Sequence, residues 1–232
     1  MAKSPKNLPR VLRDFYSAAS SPEGISVADL PSMIDKVCAE TREPTDIHNR
    51  RTSADPWKKF EDEVCPVSRF LKCRGFVNGH VRFPLDDQVP DAWYSPGGRA
   101  KPIGIEVTIA LGKQRYVLAD HLNQHGCGPG FLDESDDDFN ALRKSAAKPH
   151  EMYSTEQALE RFKEGINERL CGKNEPKYKG FILVIDAPLE VLPQERWGAI
   201  LDDLTKEASC LPFSEVHVVS DRAGALSGFK LK

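Results

Sequence analysis

The run Pro102-Ile103-Gly104-Ile105-Glu106-Val107-Thr108-Ile109-Ala110 decides how this chain is read. It is apolar at nearly every position, which is the composition of a central strand covered on both faces. A single carboxylate, Glu106, stands in its middle. A charged group inside such a strand is costly unless it is paired or bound to a cation. Side chains alternate along a strand, so Glu106 and Thr108 share one face while Ile105, Val107 and Ile109 share the other.

Outward from this strand, residues 76–83 and 89–94 read as two shorter strands. The turn Ser95-Pro96-Gly97-Gly98 leads into the central run, so the three strands predict an antiparallel meander. Upstream, apolar residues recur at helical spacing over 7–16 (Leu8, Val11, Leu12, Phe15) and 27–38. Ser26 reads as the cap of the second helix, with Pro31 in its first turn. Residues 41–54 are polar and aperiodic. Asp55-Pro56 then opens a helix through Trp57, Phe60, Val64, Phe70 and Leu71, and Pro66 within it predicts a kink or break.

Downstream, a helix is expected over 114–124, then a glycine-rich and acidic insertion over 126–149. Residues 155–170 form a strongly amphipathic pattern, with Leu159, Phe162, Ile166 and Leu170 as its stripe. Ser154 and Gln157 stand at capping-box spacing before it. Residues 181–186 read as a buried strand, 195–208 as a helix and 215–219 as the last strand. The expected fold is mixed α/β: a central mixed sheet flanked by helices over 55–232, carrying a helical N-terminal extension over 1–54.

Composition narrows the function classes. Among 232 residues, 32 Lys plus Arg stand against 35 Asp plus Glu, for a net charge of -3. Nucleic-acid binding by bulk positive charge is excluded, whereas a local basic groove is not. No apolar run is long enough for a membrane span and no secretory signal opens the chain, so a cytoplasmic protein with no membrane partner is expected. The six cysteines form no C-x-x-C pair, which disfavours zinc ribbons and redox sites.

The chemistry is expected where Asp91, just after Pro90, meets Glu106. Two antiparallel strands joined by a short loop can set these carboxylates side by side. Magnesium takes one or two carboxylates plus waters and substrate phosphate, and Asp91, Glu106 and the Val107 carbonyl suit it. The plainer alternative is a structural salt bridge from Glu106 to an Arg or Lys. Other motifs carry less. His121 and His125 stand four apart before Cys127, without the Glu of a zincin motif. The acidic cluster from Asp133 to Asp138 lacks the ligand order of an EF-hand. No P-loop, nucleophile elbow or dinucleotide fingerprint is present.

Pro90-Asp91, the turn after it, and Ile105-Glu106-Val107-Thr108 resemble the core of the PD-(D/E)XK nuclease superfamily, and the order of elements around them is similar. The resemblance implies a restriction-endonuclease-like fold in which Asp91 and Glu106 bind Mg²⁺ or Mn²⁺. It implies hydrolysis of DNA phosphodiester bonds, with a restriction-like or defence role. It also implies an acidic residue from the preceding helix, here Glu61 or Glu63. The superfamily's lysine belongs two residues after the Glu, where this chain has Thr108, so Glu-Val-Thr replaces Glu-x-Lys. Lys173 and Lys177, just before the buried strand, are the expected substitutes, with Lys113 and Lys163 as further possibilities. Arg99, Lys101 and Lys113 are expected to hold the nucleic-acid backbone. The expected partners are DNA and a second copy of the chain. The rival reading is an inactive nuclease-fold module that binds nucleic acid or a protein, and Thr108 is its best support. A structural or immunity-like protein is the third.

Overall fold

A computed structural model describes residues 8–86, 88–98, 100–112, 154–189, 194–222 and 225–232. The chain runs α1 (Arg10–Ala19), β1 (Ile25–Ser26), α2 (Leu30–Glu40), α3 (Pro44–Arg51), a π-helical turn (Phe60–Val64) continuing into α4 (Cys65–Cys73), β2 (His80–Arg82), β3 (Ala92–Ser95) and β4 (Ile103–Ile109). It continues with α5 (Thr155–Gly172), a 3₁₀ turn (Pro176–Tyr178), β5 (Ile182–Asp186), a 3₁₀ turn (Gln194–Arg196), α6 (Gly198–Ser209), β6 (Glu215–Arg222) and β7 (Ala225–Lys230).

Among the described residues the strands make one mixed seven-stranded sheet in sequence order. β1 to β4 pair antiparallel, β4, β5 and β6 pair parallel, and β7 returns antiparallel along β6. The expected meander is present, and the strands at 182–186 and 215–222 extend the same sheet. Helices cover both faces. α1, α2 and α4 pack on the face presented by Ile105, Val107, Ile182 and Val184. α5 and α6 pack on the face presented by Leu183, Ile185, Val216 and Val218, with Leu159, Phe162, Ile166 and Leu170 as the contact stripe of α5. This two-sided burial is why β4 and β5 read as continuous apolar runs. The Ser154–Gln157 capping box opens α5 as expected: each side chain bonds the other residue's backbone N–H.

Several boundaries differ from the sequence expectation. The strand expected over 76–83 is confined to His80–Arg82, and the one over 89–94 is shifted to Ala92–Ser95. Gly79, with φ of 94°, makes a turn that side chains disfavour, so the strand begins only after it. The polar stretch 41–54 contains α3, for which Pro44 supplies a ready first-turn conformation. Ser26 lies in β1 instead of capping α2, although its hydroxyl accepts from the Asp29 N–H at 3.2 Å. Ahead of Pro66 the helix widens: the Cys65 N–H donates to Phe60 O, five residues back. Proline has no N–H to give and its ring crowds the preceding turn, and the extra residue per turn absorbs that conflict. β7 lies beyond the last strand expected. Residues 10–54 share the sheet and the core of the remainder, through β1 and through Leu12, Phe15, Leu30 and Val37. The expected helix at 114–124, the insertion at 126–149, His121, His125, Cys127 and the acidic cluster lie outside the described residues.

Candidate active site

β3 and β4 pair only as far as Ala92 and Ile105, and β4 continues beyond that point alongside β5. Past the end of the β3 ladder, the Val107 N–H would lack a strand partner, and Asp91 replaces it: its Oδ2 accepts that N–H at 2.8 Å. A charged acceptor makes this a strong bond. It fixes Asp91 one position along from Glu106, which is 3% exposed.

Lys173, the residue that terminates α5, extends to Glu106 and donates from Nζ to Oε1 at 2.6 Å. Its ammonium also lies 5.0 Å from the centre of the Tyr178 ring and 3.5 Å from that hydroxyl. The other carboxylate oxygen of Glu106, Oε2, is buried with no hydrogen-bond partner among the described residues. Thus one half of the carboxylate is neutralised, and the other half has no donor among the described residues.

Glu63 approaches from the opposite helix layer, on the π-helical turn that packs against β4. Burial first, and the charge of Asp91 second, push its carboxyl up to about 7, against the pull of the Lys59 ammonium bonded to it. Burial likewise raises Asp91, opposed by the Val107 N–H and by Lys173 and Lys59. Burial and then Asp91 raise Glu106, opposed by Lys173. Burial alone would lower Lys173, but its bond and ion pair with Glu106 outweigh this and hold the ammonium above its ordinary value. The site is therefore a row of three carboxyl groups, Glu63, Asp91 and Glu106, flanked by Lys59 at one end and Lys173 at the other, and all three are held protonated to higher pH than free carboxyls.

Not every expected residue joins this series. Glu61 turns aside to Arg50 on α3, 3.4 Å from its Nε, so Glu63 is the helix carboxylate near Asp91. Lys177 pairs with Glu175 at 3.0 Å and lies over the Tyr178 ring, acting on Glu106 only through its field. Lys163 is bound to Asp203, across the contact between α5 and α6. Arg99 and Lys113 lie outside the described residues. Lys59 and Tyr178 were not singled out by the sequence reading. Lys59 could have been found four residues before Glu63, an ion-pair spacing on a helix. Tyr178 had no such signal.

Among the described residues, His, Cys, Asp and Glu form no group of three or more able to hold a metal ion. The donor set is a pair, Asp91 and Glu106, and a pair of carboxylates is what magnesium takes when waters and phosphate complete its shell. The Oε2 of Glu106, without a hydrogen-bond partner among the described residues, and the raised proton affinity of Asp91 and Glu106 fit a divalent cation. Among the described residues no helix is long and apolar enough to cross a membrane. Comparison with protein-family models, with curated proteins and with solved structures finds no match to this chain.

Proposed function

We propose that this chain is a metal-dependent nuclease with a restriction-endonuclease-like core, hydrolysing phosphodiester bonds in DNA. The observation that carries the reading is the contact of Lys173 with Glu106 at 2.6 Å beside Asp91, which supplies the cation that Thr108 lacks. Asp91 and Glu106 would hold Mg²⁺ or Mn²⁺, with the Val107 carbonyl as a further oxygen donor. Such an ion lowers the pKa of bound water and offsets charge on the scissile phosphate. The chain's own groups do the positioning. Asp91 is held by the Val107 N–H, and Glu106 by its strand and by Lys173. The Lys173 ammonium would orient an attacking water and oppose negative charge building on the phosphate.

The rival reading, a nuclease-fold module that binds without cutting, draws on the same ion pair, since Lys173 already neutralises one oxygen of Glu106. Incubation of plasmid and single-stranded circular DNA with Mg²⁺ or Mn²⁺ separates the two. Cleavage that disappears in Glu106→Gln and Asp91→Asn, and that falls about 100-fold or more in Lys173→Met, is the expected result. Equal cleavage by wild type and Glu106→Gln, or none by wild type with either metal, would overturn the nuclease reading.

A further inference from the structure

β2 and β3 continue the sheet beyond the candidate site, and their alternation sends His80, Arg82, Trp93 and Ser95 to one face while Val81, Ala92 and Tyr94 enter the core. Register fixes which face this is. Arg82 pairs with Trp93, Trp93 pairs with Gly104, and Gly104 stands two residues before Glu106 on β4. Two residues along a strand are about 7 Å and return to the same face. The basic and aromatic face of the β2–β3 pair is therefore on the same side of the sheet as Glu106, with the Phe181 and Pro90 rings packed over Gly104 between them.

This face lines an open groove of about 490 Å³, bounded by His80, Arg82, Trp93, Ser95 and Lys101, with Pro22, Glu23 and Pro102 at its sides. Three of its eight residues are basic types and Glu23 is the one acidic residue. Neither Arg82 nor Lys101 forms an ion pair with a carboxylate among the described residues. Trp93 is half-buried, and its ring is held edge-to-face against Phe181 at 5.9 Å. An indole fixed beside a guanidinium and an ammonium combines a stacking platform with phosphate contacts, the two components of single-strand recognition. The groove's size is that of a pocket for a nucleotide-sized ligand, too small for a duplex.

We propose that this groove binds a single-stranded stretch of nucleic acid, with a base stacked on Trp93 and phosphates on Arg82 and Lys101, and holds it on the side of the sheet that also carries Glu106. The groove stands on its own geometry; its link to cleavage rests on the nuclease reading.

Fluorescence anisotropy of a labelled oligothymidylate of about 20 nucleotides, in EDTA, tests the groove apart from cleavage. Trp93→Ala is expected to weaken binding about tenfold or more, and Trp93→Phe to restore most of it. Arg82→Gln/Lys101→Gln changes only groove-lining polar groups, so it tests the groove even if Trp93→Ala fails to fold. This double variant is expected to reduce the slope of log K against log salt by about 1.4, for two phosphate contacts. Wild-type affinity and slope in the double variant would overturn the groove, as would a duplex of the same length binding more tightly than the single strand. Loss of groove binding in a protein that never cleaves would retain the groove and refute the nuclease reading. Cleavage dependent on Glu106 with unaltered binding in the groove variants would do the reverse.

Discussion

At the scale of single residues, Glu106 depends on Lys173. Removing one partner of a fully buried ion pair costs roughly 3–5 kcal/mol. The Lys173 side chain keeps 21% of its exposure, so Lys173→Met should cost less, about 2 kcal/mol at pH 8. Glu106→Gln combined with Lys173→Met should recover much of that loss, because no charge is then left unpaired. Urea denaturation of the two single variants and the double variant measures the coupling, and simple additivity would mean that the pair is not energetically linked. Glu63 contributes to the pH dependence, beside Asp91 and Glu106, whose carboxyls burial also raises. Its carboxyl titrates at about 7 in the fold against an ordinary 4.5. Between those values the native state holds more protons than the unfolded chain, so stability falls as pH rises through the window and is lowest above 7. A shift of this size corresponds to about 3 kcal/mol. In EDTA, Glu63→Gln should flatten the decline in denaturation free energy between pH 4.5 and pH 8. A slope unchanged from wild type would remove Glu63 as its source.

Among the elements, β4 places the site, and Gly104 is its tightest point. A Cβ there would lie 2.6 Å from Phe181 Cδ1 and 2.9 Å from Pro90 Cγ. Both neighbours are rings with little freedom to withdraw, and Pro90 immediately precedes Asp91. Gly104→Ala should therefore cost about 2 kcal/mol by overpacking, and should displace Asp91. A denaturation midpoint like that of wild type would show that the ring contacts relax freely. The apolar period of β4 was legible because the strand is buried on both faces. The split between Glu61 and Glu63 was not legible, since both flank the same apolar stripe in sequence. Widening of the helix at Phe60–Val64 changes the angular position of each residue, and Arg50 on α3 then accounts for Glu61.

For the whole molecule, two helical layers press on the sheet and bring the acidic groups together from the residue before β3, from β4 and from the π-helical turn. Mn²⁺ bound only by the folded chain should raise its thermal midpoint, with a stabilisation of about 2.7 kcal/mol at a hundred times the dissociation constant. Calorimetry and thermal melts on wild type and Glu106→Ala check this; equal, negligible binding by both proteins would leave Glu106 as an ion-pair partner alone. The same assembly explains two elements that the pattern did not announce. β1 has two residues and β7 contains Ser227 and Gly228, so neither presents a periodic run long enough to read. Each is a strand because an existing strand, β2 or β6, offers it a ladder.

The sequence by itself determined the central apolar strand with its carboxylate, the capped amphipathic helix α5, the meander and the mixed α/β class. These rest on signals within a few residues of one another: a side-chain period, a turn, or a Ser–Gln pair bonded to its own backbone. Only the tertiary structure decided that Asp91 takes the Val107 N–H, that Lys173 rather than Lys163 or Lys177 bonds Glu106, and that Glu63 rather than Glu61 approaches Asp91. Lys173 and Glu106 are 67 residues apart in the chain. Their contact follows from where α5 ends relative to β4, which is set by how the α5 stripe packs on Leu183 and Ile185. Local pattern specifies each element, but the meeting of side chains from different elements is fixed by the packing of the layers that carry them.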